Sequence, residues 1–313
     1  MIDVSVILVT YNHEEYVKEA LDSILKQRVD FTYEIVFADD CSTDSTREII
    51  KSYDSIIENK QYLFSDINRG NTKNVMNAYL HCNGKYIVTL EGDDYWVSDK
   101  KLFTQYHFLE ENIEYIACSN KRFTIDQNNR RLLSYPLWVH KSREVSLKEF
   151  LHGKYFNGVE TMFRNLFIKD EVDESFINLF EKDRMIGDLP LCILLLSLGK
   201  VYILNEDYSV YRTSSSGNQN NYNSTLKLLD IAQDHIKILN RLSDYFSFDF
   251  SYIYAEFFLT GIIGGGLNRN NIIKCTSTLY NLIESKKRVK VLLRSFLVFP
   301  KIVKTGINKI RYH

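Results

Sequence analysis

Short apolar segments alternate with amphipathic segments along the first hundred residues, and this alternation constrains the fold more than any other feature of the chain. The apolar segments are rich in β-branched residues, which is typical of parallel strands buried on both faces. Strands are predicted at residues 4–10, 33–38, 61–65 and 86–90, and helices at residues 14–27, 45–57 and 72–81. Strands that alternate with helices predict a doubly wound α/β fold.

The alternation becomes less regular beyond residue 96. Further strands are predicted at residues 116–123, 131–135, 157–167 and 200–204, and helices at residues 101–110 and 190–198. Residues 213–224 are polar and predict a mobile loop, and the pattern is helical from residue 225 onward. We therefore expect an α/β domain at residues 1–220, with halves at 1–100 and 101–220, followed by a helical region at residues 221–313.

Polar clusters follow three of the predicted strands, at the point where each strand ends. They are Thr10-Tyr11-Asn12, Asp39-Asp40 and Glu91-Gly92-Asp93-Asp94. In open α/β sheets, ligands bind outside the carboxyl ends of the strands. We therefore expect these three clusters to meet at one edge of the sheet and to form a ligand site there.

The acidic cluster at residues 91–94 is costly to assemble unless a cation neutralises it. Mg²⁺ and Mn²⁺ prefer such oxygen ligands and leave coordination positions open for phosphate oxygens. A solvated acidic turn is the alternative interpretation. At residues 39–44, helix capping explains Ser42-Thr43-Asp44, but it does not explain Asp39 and Asp40, which end an apolar strand. A carboxylate there could accept an N–H group of a nucleotide base.

The segment from Asn68 to Asn74 precedes a predicted helix and contains a glycine that permits a tight turn, Gly70. The free amides of a helix N-terminus, with Arg69 or Lys73 nearby, would suit a diphosphate. An ordinary turn and helix cap is the alternative.

Four motifs in this order resemble those of the family 2 glycosyltransferases with the GT-A fold. They are Val6-Ile7-Leu8-Val9-Thr10-Tyr11-Asn12, Ala38-Asp39-Asp40-Cys41-Ser42-Thr43-Asp44, Asn68-x-Gly70-x-x-x-Asn74 and Leu90-Glu91-Gly92-Asp93-Asp94-Tyr95-Trp96. The resemblance is dense over about the first 100 residues and continues more thinly to about residue 215.

The resemblance implies a GT-A fold with a C-terminal helical extension and a site for a nucleotide-sugar donor. Tyr11 would stack on the base and Asp39 would accept the uracil N3–H, which favours a UDP-sugar. Asp93 and Asp94 would hold Mn²⁺ or Mg²⁺, although the family's Asp-x-Asp signature appears here as Glu91-x-Asp93. The donor-binding set implied by the resemblance is Thr10, Tyr11, Asn12, Asp39, Asp40, Lys73, Asn74, Glu91, Gly92, Asp93 and Arg212.

The resemblance also implies a catalytic base and an acceptor side. Asp188 precedes a helix that begins with a proline, and it is the expected base, with Asp183 as the alternative. Helix capping is the competing role for Asp188. Glu160 and Thr161 are expected to contact acceptor hydroxyls. Arg212 would reach the donor diphosphate when the following loop closes.

The expected activity is an inverting transfer from a UDP-sugar to a saccharide acceptor, lipid-linked in bacterial surface-polysaccharide synthesis. A non-catalytic carbohydrate-binding or scaffolding protein with the same fold is the alternative. A nicotinamide oxidoreductase would carry Gly-x-Gly-x-x-Gly after the first strand, and a sugar nucleotidyltransferase would carry a glycine-rich basic loop. The chain has Thr10-Tyr11-Asn12-His13-Glu14 at that position instead.

Cysteine usage and charge bear on where the protein works. The five cysteines are widely spaced without a Cys-x-x-Cys pair, which favours reduced thiols in a cytoplasm. The net charge of −1 gives no reason to expect a nucleic-acid partner, but nine basic residues and no acidic one follow Glu284. Residues 286–313 could therefore contact the inner face of an anionic membrane, or pack as a helix with a solvated basic face. The C-terminal helices could also mediate oligomerisation.

Overall fold

The computed structural model describes residues 1–167, 188–213 and 228–264, together with residue 177 and short runs between residues 276 and 295. The chain divides into two compact units. The first unit consists of Met1–Leu147 and Lys154–Thr213, and the second consists of Lys148–Gly153 and Ser214–His313. The expected domain boundary at residues 220 and 221 lies outside the described residues and stays a prediction.

In the described part of the first unit, ten strands form one sheet. In chain order they are β1 (Val4–Thr10), β2 (Tyr33–Asp39), β3 (Lys60–Phe64), β4 (Tyr86–Glu91), β5 (Tyr95–Trp96), β6 (Tyr115–Ile125), β7 (Arg131–Tyr135), β8 (Arg143–Val145), β9 (Met162–Arg164) and β10 (Lys200–Arg212). The strand order is β3-β2-β1-β4-β9-β6-β10-β5, with β7 paired to β6 and β8 paired to β10.

The helices of the described residues alternate with the strands in the first half of the chain. They are α1 (Val17–Leu25), α2 (Thr46–Lys51), α3 (Asn71–His81), α4 (Lys101–Glu111), α5 (Leu147–Leu151), α6 (Leu189–Leu198), α7 (Leu228–Tyr245) and α8 (Ser251–Gly264). Leu21 and Ile24 of α1 are fully buried and share one core cluster with Val6 and Leu8 of β1. The helix is therefore held by its apolar face, as its spacing predicts.

Strands β3, β2, β1 and β4 are parallel, and β1 lies between β2 and β4. The register places Thr10 opposite Asp39 on one side, and Val9 opposite Glu91 on the other. The α/β fold is therefore confirmed. The polar clusters that follow β1, β2 and β4 meet at one edge because these strands run in the same direction and end together.

The second half of the sheet is mixed. Strand β9 is antiparallel to both β4 and β6, and β5 is antiparallel to β10, whereas β6 and β10 are parallel. The parallel pairing expected for the apolar segments therefore holds for β1 to β4 and also occurs between β6 and β10. Strand β10 continues eight residues beyond its predicted end at Leu204. Register shifts between Leu204 and Ser209 interrupt the alternation that a sequence pattern can detect.

Two local predictions were wrong. The segment 157–167 is a strand only at Met162–Arg164, because Thr161 N–H donates to Gly158 O and forms a turn before it. Asn83-Gly84 directly follows the predicted helix and is typical of a helix C-cap, but it does not cap α3, since the helix ends at His81 and the backbone is already extended at Cys82. Gly84 is required for a different reason, because a Cβ atom there would lie 2.4 Å from the Ser5 nitrogen.

The second unit contains α7 and α8, which pack against each other. Ala232, Ile236 and Leu239 of α7 are buried at helical spacing, and the hydroxyl of Tyr254 in α8 donates to Asn240 Oδ1 at 2.6 Å. Among the described residues, no helix is both long and apolar enough to cross a membrane. Most of the basic tail at residues 286–313 lies outside the described residues, so its two interpretations stay open.

Candidate active site

The acidic turn, which we define as residues 91–94, begins at the last residue of β4. Gly92 N–H donates to Val9 O at 2.8 Å, and Asp94 N–H donates to Glu91 O at 3.0 Å. A Cβ atom at Gly92 would lie 2.7 Å from Thr10 Cγ2 and 2.8 Å from His13 Nδ1. Only glycine allows this turn to lie so close to the end of β1.

The three carboxylates of the acidic turn face one another. One oxygen from each of Glu91, Asp93 and Asp94 lies within 4.8 Å of the other two. Asp94 Oδ1 accepts the Arg212 N–H at 2.9 Å, whereas the buried Asp94 Oδ2 has no hydrogen-bond partner among the described residues. Burial and the charge of Asp93 raise the pKa of Glu91 to about 8, and they also raise the pKa of Asp94 well above its usual value.

These residues fit a divalent cation. Three carboxylates close together repel one another, and a buried carboxylate oxygen without a donor has lost its hydration without compensation. A hard cation bound by oxygen atoms would relieve both penalties, and Mg²⁺ and Mn²⁺ are such cations. Asp93, Asp94 and Glu91 are the residues that would hold it, and His13 Nε2 lies 4.0 Å from Asp93 Oδ2.

Asp188 lies in the second half of the chain, at the start of α6. It immediately precedes α6, but its side chain makes no capping hydrogen bond to that helix. Its Oδ2 instead accepts Gly158 N–H at 2.9 Å. Burial raises the pKa of Asp188, and the Arg122 charge opposes this rise. The Asp188 charge also helps to raise the pKa of Glu91, which places this carboxylate within the electrostatic field of the acidic turn. Asp183 lies outside the described residues.

Asp39 is fully buried, and donors of this chain surround it. Its Oδ1 accepts Ser42 N–H at 3.0 Å and the Nε–H of Arg47, and its Oδ2 accepts the hydroxyls of Thr10 and Ser42. A carboxylate offers about four acceptor positions. A base N–H could therefore bind Asp39 only if one of these four donors moved away.

Asp40 fixes the turn before α3. Its Oδ1 accepts Arg69 N–H at 2.7 Å and its Oδ2 accepts Gly70 N–H at 2.8 Å. Gly70 adopts a φ of 89°, which favours glycine. Lys73 is exposed on the first turn of α3, whereas Asn74 is buried and donates to Ala38 O at 2.7 Å. Asp40 and Asn74 therefore build the turn, and Lys73 is available to a ligand.

Asn12 connects the end of β1 to the loop after β2. Its backbone N–H donates to Ser42 Oγ at 2.9 Å, and its Oδ1 accepts Thr43 N–H at 2.8 Å. Its φ of 54° is a left-handed conformation that asparagine tolerates better than most residues. Thr10 is almost completely buried, whereas Tyr11 is partly exposed beside it. Of these residues, Tyr11 is the one whose aromatic ring could stack on a base.

The residues expected on the acceptor side lie in the interior. Glu160 and Thr161 are both fully buried. The Thr161 hydroxyl donates to Asn157 O at 2.6 Å, and the Glu160 carboxylate accepts the Ser209 hydroxyl. Arg212 forms an ion pair with Glu19, and its guanidinium lies over the rings of Tyr95 and Tyr16. It would have to leave Glu19 to reach a diphosphate.

Arg122 of β6 is a residue of the site that sequence reasoning missed. Its guanidinium lies 4.2 Å from the ring centroid of Tyr211, and the amide oxygen of Asn157, suitably oriented, accepts from its Nε at 2.7 Å. Burial lowers the pKa of Arg122, but Glu160 and Asp94 oppose it, and the net pKa is raised. No motif contains Arg122, because its partners are distant in sequence. Two adjacent basic residues, Lys121-Arg122, inside a predicted strand are the one signal that could have found it.

A family model for glycosyl transferase family 2 matches residues 5–171, which is more than half of the chain. The chain belongs to this family. The family 2 match begins in β1 and includes β2, β4 and the acidic turn, so it covers three of the strand ends that form the site.

Relatives of this family 2 chain are found in several bacteria. The uncharacterized protein Rv1520 of Mycobacterium tuberculosis is 28% identical over 220 residues, which cover 68% of this chain and 59% of the relative. The poly(ribitol-phosphate) beta-N-acetylglucosaminyltransferase TarS of Staphylococcus aureus is 34% identical over 115 residues, or 36% of this chain and 20% of the relative. The family 2 chain thus spans about three fifths of Rv1520 and less of TarS.

Solved structures share the fold of this family 2 chain. The crystal structure of S. aureus TarS 1–349 in complex with UDP-GlcNAc superposes with a TM-score of 0.64 at 20% identity, covering 94% of this chain and 89% of that chain. The mannosyltransferase PcManGT from Pyrobaculum calidifontis, in complex with GDP-Man and Mn²⁺, gives a TM-score of 0.50 at 16% identity, with 94% and 84% covered. At these identities the likeness establishes the GT-A fold alone.

Proposed function

We propose that this chain is an inverting glycosyltransferase that moves a sugar from a UDP-sugar to a hydroxyl of a saccharide acceptor. One observation carries the proposal. In a chain of glycosyl transferase family 2, Glu91, Asp93 and Asp94 bring one oxygen each within 4.8 Å of the other two, at the edge of the sheet where β1, β2 and β4 end. Such a cluster can bind the cation that assists the departure of a nucleoside diphosphate, and Asp188, whose charge contributes to the raised pKa of Glu91, is the candidate base.

Asp188 acts as the general base in this proposal. It accepts the proton of the acceptor hydroxyl as that oxygen attacks the anomeric carbon and the bond to the departing UDP breaks. The amides of Gly158 and Val159 orient its Oδ2. A single displacement inverts the anomeric carbon, so an α-linked donor gives a β-linked product.

The donor lies along the edge formed by the strand ends. Tyr11 contacts the base, Lys73 lies on the side of the phosphates, and Asp93, Asp94 and Glu91 would hold Mn²⁺ or Mg²⁺. That cation, when bound, supplies Lewis-acid stabilisation of the diphosphate leaving group. Arg212 reaches the diphosphate after exchanging its pairing with Glu19.

The relatives support the donor and the setting. TarS is named as a beta-N-acetylglucosaminyltransferase acting on poly(ribitol-phosphate), and its crystal structure contains UDP-GlcNAc. PcManGT was solved with a nucleotide sugar and Mn²⁺. We therefore place the chain in the synthesis of a bacterial surface polysaccharide, with a saccharide acceptor that is lipid-linked.

Turnover of nucleotide sugars tests this function. The purified chain is incubated with Mn²⁺ and UDP-GlcNAc, UDP-glucose or UDP-galactose, and the release of UDP is measured with and without EDTA. We expect metal-dependent UDP release with at least one donor, and loss of it in Asp188→Asn while UDP still binds. Binding of UDP-sugars by the wild type without turnover, in the presence of saccharide acceptors, would favour a non-catalytic carbohydrate-binding protein instead.

The basic tail suggests where the enzyme works. Residues 286–313 combine nine basic residues with aliphatic and aromatic ones, which favours peripheral contact with an anionic membrane at its cytoplasmic face. Sedimentation with liposomes tests this contact. The full chain should sediment with vesicles containing anionic lipid and not with neutral vesicles, and a chain lacking residues 286–313 should sediment less. Equal sedimentation of the two chains would remove the membrane role.

A further inference from the structure

A short turn before β9 contacts the Asp188 side chain directly, and we call residues 157–161 the support turn. Gly158 N–H donates to Asp188 Oδ2 at 2.9 Å, and Val159 N–H reaches the same oxygen at 3.5 Å. Among the described residues, these two amides are the donors to the Asp188 carboxylate. Both bind one oxygen, so Oδ1 has no donor in that part of the chain.

The lack of a side chain at Gly158 permits this contact. A Cβ atom at that position would lie 3.1 Å from Asp188 Cβ and 3.2 Å from Asp188 Cγ. It would also lie 3.3 Å from Leu191 Cδ2, in the first turn of α6. A larger residue would therefore force Asp188 or the support turn to move, because glycine is what allows the backbone to approach so closely.

Thr161 closes the support turn from within. Its hydroxyl donates to Asn157 O at 2.6 Å, and its N–H donates to Gly158 O at 3.0 Å. Thr161 is fully buried and directly precedes β9. The first two carbonyl groups of the turn are therefore satisfied inside it, while the amides of Gly158 and Val159 bind Asp188.

Arg122 of β6 attaches the support turn to the sheet. With its amide oxygen facing the guanidinium, Asn157 accepts from Arg122 Nε at 2.7 Å and from Arg122 Nη2 at 3.1 Å. Hydrogen bonds from a charged donor are stronger than those between neutral groups. A continuous series of hydrogen bonds and peptide bonds thus leads from Arg122 through Asn157 and Gly158 to Asp188.

We propose that Asn157 and Gly158 are positioning residues for Asp188: Arg122 anchors the support turn through Asn157, and the Gly158 amide fixes one oxygen of the Asp188 carboxylate so that the other accepts the proton. This inference rests on the proposed function and adds to it the residues that orient the base. It also gives Thr161 a place within the support turn, where its hydroxyl already donates to Asn157 O.

Orientation matters because a base acts only when its lone pair is aligned with the proton that it accepts. A carboxylate held by one oxygen no longer rotates freely, and the direction of the second oxygen is then set. A displacement of about 1 Å at such a group can cost about 100-fold in rate. Loss of the support turn should therefore affect the chemical step more than it affects donor binding.

The variant Gly158→Ala tests the contact with Asp188. With UDP-GlcNAc, or the donor that turns over best, and Mn²⁺, we expect kcat to fall about 10-fold, because the new methyl group displaces the carboxylate. KM for the donor should change less than about twofold, since the interaction acts in the chemical step.

Gly199 provides the matched control at the other end of α6. A Cβ atom there would lie 3.0 Å from Ile116 Cβ, so Gly199→Ala introduces a similar steric conflict away from Asp188. Both variants should lower the midpoint of thermal unfolding by similar amounts, and Gly199→Ala should leave kcat unchanged. Equal kcat in the two variants would overturn the positioning role of Gly158.

The variant Asn157→Ala tests the attachment to Arg122 without adding bulk. We expect kcat to fall about 3- to 10-fold, a smaller loss than in Gly158→Ala because Thr161 still closes the turn. Asn165→Ala is the control, since Asn165 donates to Cys82 O and Gly84 O before the start of β4. If Asn157→Ala keeps the kcat of Asn165→Ala, the attachment has no part in positioning the base.

A double-mutant cycle shows whether Asn157 acts through Arg122. In an Arg122→Met background the attachment is already lost, so adding Asn157→Ala should lower kcat further by less than about twofold. Full multiplication of the two effects would mean that Asn157 works by another route, and it would overturn the anchoring role.

A measurement without turnover separates this inference from the proposed function. Labelling glycine with ¹⁵N gives at most 13 backbone amide signals, and that of Gly158 is assigned by its loss in Gly158→Ala. We expect the Gly158 signal to move in Asp188→Asn and in Arg122→Met, and to stay in Asn165→Ala. A signal that does not move in Asp188→Asn refutes the contact whether or not the chain turns over. A signal that moves as expected in a chain that releases no UDP supports the contact and refutes the proposed function.

Discussion

The ends of β2 and β4, the strands on either side of β1, carry buried aspartates that differ in how their oxygens are satisfied. Asp39 at the end of β2 accepts four hydrogen bonds, including one from Arg47. Asp94 beyond β4 accepts one backbone N–H at Oδ1 and has a buried Oδ2 without a partner among the described residues. The same residue type, buried at the same edge of the sheet, is complete in one place and incomplete in the other.

This difference indicates that Asp39 stabilises the fold, whereas Asp94 is available to a ligand. A carboxylate whose acceptor positions are filled stabilises the loop that fills them, and its removal costs folding free energy. A carboxylate left without donors beside two others costs folding free energy in the absence of a ligand. The acidic turn carries this unfavourable contribution to the folding free energy, which a bound cation would offset. Asp39 carries no such contribution.

The largest expected effect is the loss of activity when Asp94, whose Oδ2 has no partner among the described residues, is replaced. Asp94→Asn should lower UDP release by at least about 100-fold at fixed Mn²⁺, because Lewis-acid stabilisation contributes several kcal/mol. Its thermal unfolding midpoint without metal should stay level or rise, since burial and the neighbouring carboxylates already disfavour the ionised form of Asp94. Calorimetry and turnover check the two together. A clear loss of stability in Asp94→Asn would break the comparison.

The opposite result is expected for Asp39, whose acceptor positions are filled: its replacement should lower stability. Asp39→Asn should reduce the free energy of unfolding by about 2–4 kcal/mol, because it removes the partner of Arg47 and turns one acceptor into a donor. Denaturant titration measures this loss. If Asp39→Asn unfolds like the wild type but no longer binds UDP, Asp39 contacts the base directly and the two aspartates do not differ as described.

The pH dependence of turnover sharpens the role of Asp188. Burial raises the pKa of Asp188 above that of an ordinary aspartate. A base must be deprotonated, so kcat should be lost as pH falls through this raised pKa, and the acid limb should lie above pH 3.8. For folding the sign is the reverse, because a raised carboxyl pKa contributes stability that is lost as pH rises through it. Turnover at saturating Mn²⁺ across pH gives the limb, and a limb at or below 3.8 would contradict the assignment.

The smallest expected effect concerns the turn before α3. Asp40→Asn weakens the hold on Arg69 N–H and Gly70 N–H, which should cost about 1–2 kcal/mol of stability. KM for the donor should rise a few-fold with little change in kcat, since the turn positions Lys73 and is remote from Asp188. An unchanged KM would show that this turn has no part in donor binding.

Much of the fold follows from local pattern. The apolar runs of β1, β2 and β4 and the amphipathic spacing of α1 are visible in the sequence, because each depends on residues close together in the chain. Strand β10 shows where such reasoning fails, since its bulges interrupt the alternation between Leu204 and Ser209. The short strands β5 and β8 were also missed, because two or three residues carry no periodicity.

The sequence by itself determined the parallel core, the family, and the three strand ends that form the site, because these features lie in contiguous motifs. Only the tertiary structure decided what each side chain does there. It filled the acceptors of Asp39 and left Asp94 Oδ2 without a partner. It also paired Lys101 with Glu160 in the interior. The physical reason is that hydrogen bonding and charge pairing depend on distances between side chains that are remote in sequence, and a linear pattern does not contain those distances.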